Sequence, residues 1–256
     1  MYVHLTVDEA YLELLKNVVY HYDILSTPRG QSIREIFNYT FKVLRPTPEP
    51  IKTKDFERNN KIEDYTKKEM DWYLSCHRSV ESAASISKFW GGLANPDGTV
   101  NSNYGYLTLK DKSEGDEYME LLLKSECTYL NSYPIPTKTP WEWAKTSLIN
   151  DKESRQAVMR INKPYHAWNG NKDFPCTMHA NFHIRNNLLN MTVVMRSNDV
   201  VRGTVYDVPF FIYLQERMIS ELSTHYPELK IGTYTHIAHS MHMYEKDLET
   251  VLKMIG

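Results

Sequence analysis

The sequence predicts an α+β domain on a mixed or antiparallel sheet, and three observations carry that expectation. Runs of period-two alternation are interspersed with runs of helical spacing, so strands and helices are both present. They follow one another without the strict strand–helix–strand rhythm of a parallel α/β sheet. No glycine-rich phosphate loop, the usual opening of a nucleotide-binding α/β fold, occurs in the 256 residues.

The elements follow in order. "TVDEAYLELLKNVVYHY" opens with a Thr6–Glu9 capping box and places Leu12, Leu15, Val19 and Tyr22 on one helical stripe. "STPRGQS" (26–32) is a turn, because proline fixes φ and glycine accepts left-handed backbone. "EIFNYTFKVL" alternates Phe37, Tyr39, Phe41 and Val43 with Asn38, Thr40 and Lys42, the pattern of a half-buried strand. Residues 45–60 are proline-rich and charged, which predicts an exposed loop. Over 61–77, Ile62, Tyr65, Glu69, Trp72 and Cys76 recur at helical spacing, so Glu69 lies on a buried stripe. "NPDGTVNSNYG" (95–105) is a turn-rich loop, and helices are expected at about 115–130 and 140–149. A strand pair spans roughly 174–185 and 188–196 around the Asn186-Asn187 turn. Residues 208–226 form a long, mostly buried helix, and "KIGTYTHIAHSMHMY" is a strand followed by a short amphipathic helix.

Nothing along the chain reads as a linker, so residues 1–256 are expected to form one domain. A net charge of -2 provides no field to hold a nucleic-acid backbone, so any phosphate must be bound by a local cluster. The three cysteines, Cys76, Cys127 and Cys176, have neither disulfide-framework nor zinc-site spacing. The early charges of "MYVHLTVDEAYLELL" do not suit a signal peptide, and no window holds 18 uninterrupted apolar residues. A soluble, cytoplasmic protein without membrane partner, polymer partner or metal is the expectation.

Four groups of residues have chemical potential. Cys176 in "DFPCTMHANF" shares, by strand alternation, the face of Met178, Ala180 and Phe182; it is either a core thiol or a nucleophile with Arg196 as the cation favouring thiolate. Glu69 is either a carboxyl satisfied by a tyrosine or backbone donor, or a buried general acid/base with a raised pKa. His242 and Tyr244 share a strand face with Ser240, which suits a ribose hydroxyl and equally an exposed sheet face. Arg29, Arg155 and Arg196 each adjoin a turn or strand end, where guanidinium groups can converge on a phosphate.

Taken together, "FPCTMHANFHIRNN", "MRSNDVVRG" with Asp207 downstream, and "HSMHMY" resemble the thymidylate synthase family, with its Pro-Cys nucleophile, Arg-Ser-x-Asp run and His-x-Tyr pair. "EMDWYL" (69–74) resembles the family's Glu-x-x-Trp helix, "NSNYG" (101–105) its tyrosine loop, and "DKESRQ" (151–156) the loop that crosses the dimer. The matches run in family order from about residue 26 to 244, and within the family they are most similar to its deoxycytidylate hydroxymethylases. The resemblance implies a thymidylate synthase-like fold whose sheet forms a homodimer interface, with 5,10-methylenetetrahydrofolate as one-carbon donor. It implies that Cys176 adds to pyrimidine C6, Glu69 manages water and protons, and Tyr104 assists proton removal at C5. Asp199, Trp90 and the close-approach Gly203 would face the folate. Arg196, Ser197 and Arg29 would hold the phosphate, with Arg155 arriving from the second subunit, while His242 and Tyr244 would bind the sugar 3′-hydroxyl. One of the family's adjacent arginines is here Gln156, and "TPRG" matches its first phosphate loop with a one-residue offset.

Asp207 stands where thymidylate synthases carry an asparagine that donates to uracil O4. An ionised carboxylate accepts from cytosine N4–H instead and is left unpaired against O4. The implied substrate is therefore a cytidylate, dCMP in preference to CMP because of Ser197. Leu93 replaces a second tryptophan of the synthases and leaves room for water, which favours hydroxymethyl over methyl transfer. A catalytically silent nucleotide-binding dimer is the alternative from another class.

Overall fold

The computed structural model describes residues 1–112 and 138–256. The described strands form one mixed sheet. In chain order they are β1 (Tyr2–His4), β2 (Ile24–Ser26), β3 (Ile33–Val43), β4 (Val158–Arg160), β5 (Thr177–Arg185), β6 (Leu188–Met195), β7 (Asn198–Asp199) and β8 (Lys230–Tyr244). The sheet runs β1-β3-β8-β6-β5-β4, with β2 paired to β3 and β7 to β8. β8 is its spine: antiparallel to β3, parallel to β6 and, near its end, parallel to β7. The parallel pairing follows from connectivity, since the helix joining β7 to β8 carries the chain back across the sheet before β8 begins.

The described helices are α1 (Val7–Tyr20), α2 (Phe56–Ser75), α3 (Val80–Ile86), α4 (Tyr104–Leu109), α5 (Pro140–Asn150), α6 (Val205–Leu222) and α7 (Leu248–Ile255). The first half of α6 is largely apolar, including Val208, Phe210, Phe211, Ile212 and Leu214, because it packs against β6, β8 and α2. Its Gln215 is satisfied by donating to the carbonyls of Leu189 and Thr233. The opposite face of β5, β6 and β8 is not covered by a described helix and carries Asn181, Thr192, Val194 and Ile237, half-buried.

The α+β class, the capping box at Thr6, the Asn186-Asn187 hairpin and the final strand are as expected. Asn186 and Asn187 both have positive φ (52° and 58°), which is what a two-residue hairpin turn requires. The helix expected at 115–130 lies outside the described residues. Four expectations are corrected. Leu15 and Val19 of the predicted α1 stripe are buried, but the buried face also takes in Val7, Ala10, Tyr11, Leu14, Asn17 and Val18 while Leu12 is only half-buried, since the helix ends before Tyr22 and packs on both β3 and α7. α2 begins five residues before the predicted start, because Asp55 caps it by accepting from Arg58 N at 3.0 Å. Left-handed backbone at Asn38 (φ 53°) interrupts the β3 ladder, and Phe37 is 53% exposed. The β5–β6 register shifts between Thr177 and His179, so Met178 turns outward while Ala180 and Phe182 stay in the core; Cys176 does not share its face.

Gly105 marks where α4 meets α2. A Cβ there would lie 1.6 Å from the carbonyl oxygen of Tyr73, backbone that cannot yield without separating the helices. Gly105→Ala is expected to destabilise the fold by roughly 3 kcal/mol or more, the upper range for overpacking, read as a lowered midpoint in chemical denaturation.

Candidate active site

A cleft of about 1250 Å³ opens where β3, β7 and β8 end beside the N-terminus of α6, with α2 and the 87–104 segments as its other wall. That exceeds the ~300–1000 Å³ typical of a one-ligand pocket, so the cleft accommodates two ligands side by side. Cys176, Glu69, Tyr104, Asp207, Arg29, Arg196, Ser197, His242, Tyr244, Trp90, Asp199 and Gly203 all line it, as does Leu93. Arg155 is the exception: it is exposed on the turn before β4 and does not reach the cleft of its own chain.

Cys176 sits at the mouth of β5, half-buried. Arg196 is clamped over the same loop, donating to the carbonyls of Phe174 (2.6 Å) and Pro175 (3.2 Å) and stacking on the Phe174 ring. One of its nitrogens lies 3.6 Å from the Cys176 sulfur. The expected cation is thus in place, yet it does not prevail. Burial pushes the thiol up to about 11, Arg196 pulls it back, and the carboxylates of Asp207, Asp173 and Asp199 push further upward. The resting residue is a thiol.

Glu69 is buried on α2, and its Oε1 accepts from Tyr65 OH at 3.2 Å. Tyr65 OH in turn accepts from Trp90 Nε1 at 3.3 Å, tying the carboxyl to the indole. Burial raises the Glu69 pKa well above the carboxylate range, and neighbouring Asp207 raises it further. A tyrosine donates to Glu69, as one half of the sequence reading expected, and the pKa is raised, as the other half did. Tyr104 opens α4 behind an Asn103 cap whose side chain also donates to the carbonyls of Trp72 and His77. Its hydroxyl accepts from Thr177 N, one residue beyond the thiol, at 3.4 Å. Buried Asp173, accepting from the backbone of Asn101 and Ser102, pins this loop.

The β7–α6 segment is not the simple strand end that its charges suggested. Asn198 and Asp199 pair with β8, Val200–Thr204 form a π-helical turn, and Asp207 lies in the first turn of α6. Asp199 caps the turn, its Oδ1 accepting from Val201 N (2.7 Å) and Arg202 N (3.0 Å), while Arg202 bridges to Asp247. Asp207 is buried, and its Oδ2 accepts from Asn198 Nδ2 at 2.8 Å. Burial raises its pKa to about 6, with Asn198 opposing the shift and Asp199 adding to it. Gly203 serves this pair: a Cβ would lie 2.7 Å from Asn198 Nδ2 and 3.2 Å from Asp207 Oδ2.

Sequence reasoning missed Asn198, Tyr65, Arg58, Tyr206 and Glu35. Tyr65 was on the quoted stripe four residues before Glu69, so helical spacing already placed it beside the carboxyl. Arg58 donates to Val201 O and Tyr206 OH at the cleft wall; it fell in the segment read as loop. Glu35, held by Ser26 and Ser240 opposite His242, had no signal in its own strand. Among the described residues no group of His, Cys, Asp and Glu is arranged to hold a metal, and no helix is long and apolar enough to cross a membrane.

The family model described as thymidylate synthase matches residues 9–256. The chain is 26% identical over 191 residues to the deoxycytidylate 5-hydroxymethyltransferase of Enterobacteria phage T6, covering 72% of this chain and 68% of that protein. It is also 26% identical over 244 residues to the deoxyuridylate hydroxymethyltransferase of Bacillus phage SP01, covering 93% of this chain and 57% of that one. Thermostable thymidylate synthase A from Bacillus subtilis superposes with a TM-score of 0.65 over 97% of this chain and 84% of its own, at 16% identity.

The geometry predicts slow alkylation of Cys176 by iodoacetamide below pH 9, slowed further, by about tenfold per unit of added thiol pKa, in Arg196→Leu. Peptide mass spectrometry of the labelled thiol checks this, and a faster-reacting variant would contradict it. Asp207 also penalises the unliganded fold. With its folded pKa near 6 lying above an unfolded value near 3.8, its stabilising contribution is present below the lower value and is lost as pH rises through the upper. Asp207→Asn is therefore expected to raise stability by about 2–3 kcal/mol at pH 8, with the gain vanishing by about pH 4, measured by denaturation across pH.

Proposed function

The chain belongs to the thymidylate synthase family, and from that premise we propose that it converts dCMP to 5-hydroxymethyl-dCMP with 5,10-methylenetetrahydrofolate as one-carbon donor. The observation that carries the choice of base is Asp207: buried, with Oδ2 occupied by the Asn198 donor and Oδ1 left for a ligand. An ionised carboxylate in that position accepts from the cytosine N4 amino group, whereas uracil O4 would face it acceptor to acceptor. An unmet buried acceptor of this kind costs about 1–3 kcal/mol or more. The phage T6 relative named for deoxycytidylate supports the same reading.

The cleft suits both ligands. Arg196, Ser197 and Arg29 line the cleft and offer a phosphate cationic and hydroxyl donors, and His242 and Tyr244, which also line it, offer groups for the sugar. Trp90 and Asp199, the latter paired with His242 on β8, offer the same cleft an indole face and a carboxylate, matching the flat, donor-rich pterin of a folate. Bound there, the folate supplies a one-carbon electrophile and departs as tetrahydrofolate.

Cys176 gives up its proton as substrate enters beside Arg196, and the thiolate adds to C6, which makes C5 nucleophilic. Once C5 carries the one-carbon unit, the Tyr104 hydroxyl assists removal of the C5 proton, which passes to the departing amine as the C–N bond breaks. Water then adds to the exocyclic carbon while the C6–sulfur bond breaks, restoring the 5,6 double bond and the thiolate. Glu69, oriented by Tyr65, lends its proton to the ring as the thiolate adds and then takes up the one that water loses, while the ring proton passes to the released thiolate. Leu93 lines this part of the cleft and leaves the space that water needs. Arg155, exposed on its own chain, completes the phosphate site of a second copy across the open sheet face.

The test is incubation with dCMP, dUMP or CMP plus the folate, followed by mass spectrometry of the nucleotide. A hydroxymethyl gain on dCMP with no dihydrofolate absorbance is expected; a methyl gain, or preference for dUMP or CMP, would overturn the corresponding part. Cys176→Ala should lose turnover and the covalent complex yet retain nucleotide binding, and Asp207→Asn should shift preference toward dUMP.

A further inference from the structure

Behind Asp207 lies a chain of buried polar groups that the catalytic reading leaves unexplained. Asn198 donates to Asp207 Oδ2 at 2.8 Å, and its own Oδ1 is met by Thr204 Oγ1 (2.5 Å) and by His236 Nε2 (3.1 Å). His236 Nδ1 meets Tyr234 OH at 3.0 Å. His236 and Tyr234 are fully buried, with nothing else in the mechanism for them to do.

The direction of every bond follows from the carboxylate. An ionised Asp207 oxygen only accepts, so Asn198 must present its NH₂ there and its carbonyl to His236. Burial lowers the His236 pKa to about 3, so the ring is neutral and must donate from Nε2. Nδ1 is then the acceptor, and Tyr234, whose pKa burial raises well above its usual value, supplies the proton. The amide is thereby fixed in one orientation by two donors on its oxygen.

We propose that Asn198, oriented by the Tyr234–His236 relay and Thr204, is the positioning residue that turns Asp207 into a proton-dependent reader of the pyrimidine 4-substituent. Because Oδ2 is permanently taken by a donor, Oδ1 alone faces the base. Ionised, Oδ1 accepts from the cytosine amino group; protonated, it becomes a hydroxyl that donates to uracil O4, as an asparagine amide would. The chain then favours dCMP above the Asp207 pKa near 6 and admits dUMP below it. The groups facing Asp207 include Glu69 and Tyr73 from α2, Tyr104 from α4, Cys176 before β5, Asn198 and Asp199 from β7, and Tyr234 from β8. Of these, Glu69 and Asp199 are the other carboxyl groups, and burial together with Asp207 raises the Glu69 pKa.

The inference rests on the cytidylate reading, and two measurements separate their failures. Calorimetric titration of the intact protein with dCMP and with dUMP from pH 5 to 8 should show the ratio of affinities changing by about tenfold per pH unit. In Asn198→Ala, which loses the donor on Oδ2, the crossover should move up by about one pH unit or more. A wild-type protein that prefers dUMP at every pH sinks the cytidylate reading. An unchanged crossover in the variant sinks the role of Asn198. Two-bond nitrogen–proton correlation spectra of histidine-labelled wild type test the relay without any ligand: His236 should be the Nε2–H tautomer at both pH 5 and pH 8. A switch to Nδ1–H at pH 5 would mean that the relay reverses and the proton goes to Oδ2, which overturns the proposal.

Discussion

A carboxylate buried at the floor of a cleft is the constraint on which the rest of this structure depends. Asp207 cannot be left without donors in a place that water barely reaches, so Asn198 must turn its amide toward it. That demand propagates: Asn198 needs its oxygen satisfied, which fixes His236 and Thr204, and His236 needs a donor on Nδ1, which fixes Tyr234. The pair also needs room, and only a glycine at position 203 provides it. The π-helical turn is the backbone's way of presenting Asn198, Gly203 and Asp207 to one point while α6 begins.

The same burial makes ionisation costly throughout the cleft. Burial raises the pKa of both Glu69 and Asp207, Asp207 adds to the cost of ionising Glu69, and the Cys176 thiol is pushed up despite the guanidinium 3.6 Å away. Free energy is therefore stored in the unliganded site as charge that the fold resists. A ligand that brings donors to Oδ1 and a phosphate to Arg196 changes those balances together, because each group lies within reach of the others' fields. Stability and function oppose one another at this point, as expected where a buried charge is kept for recognition.

Much of the fold was legible because local chemistry and tertiary context agreed. The Thr6–Glu9 box, the Asn186-Asn187 turn and the alternation of the last strand each describe a backbone state that one or two residues enforce. Where the reading slipped, a non-local contact decided. The Met178 phase was lost to a register shift imposed by pairing with β6, and the first turn of α2 was hidden because one aspartate cap outweighs a run of charged residues.

The sequence by itself determined most of the element types, the cysteine, carboxyl and arginine set, and the aspartate that stands where the family's synthases carry an asparagine, because those depend on residue chemistry and short spacing. Only the tertiary structure decided what those groups are in place. It raised the pKa of Cys176 and Glu69 by burial, and it brought Asn198 and His236, 38 residues apart, into one hydrogen-bonded chain behind Asp207. The physical reason is that protonation and amide orientation are properties of an environment, and a fold assembles that environment from segments with no local knowledge of one another.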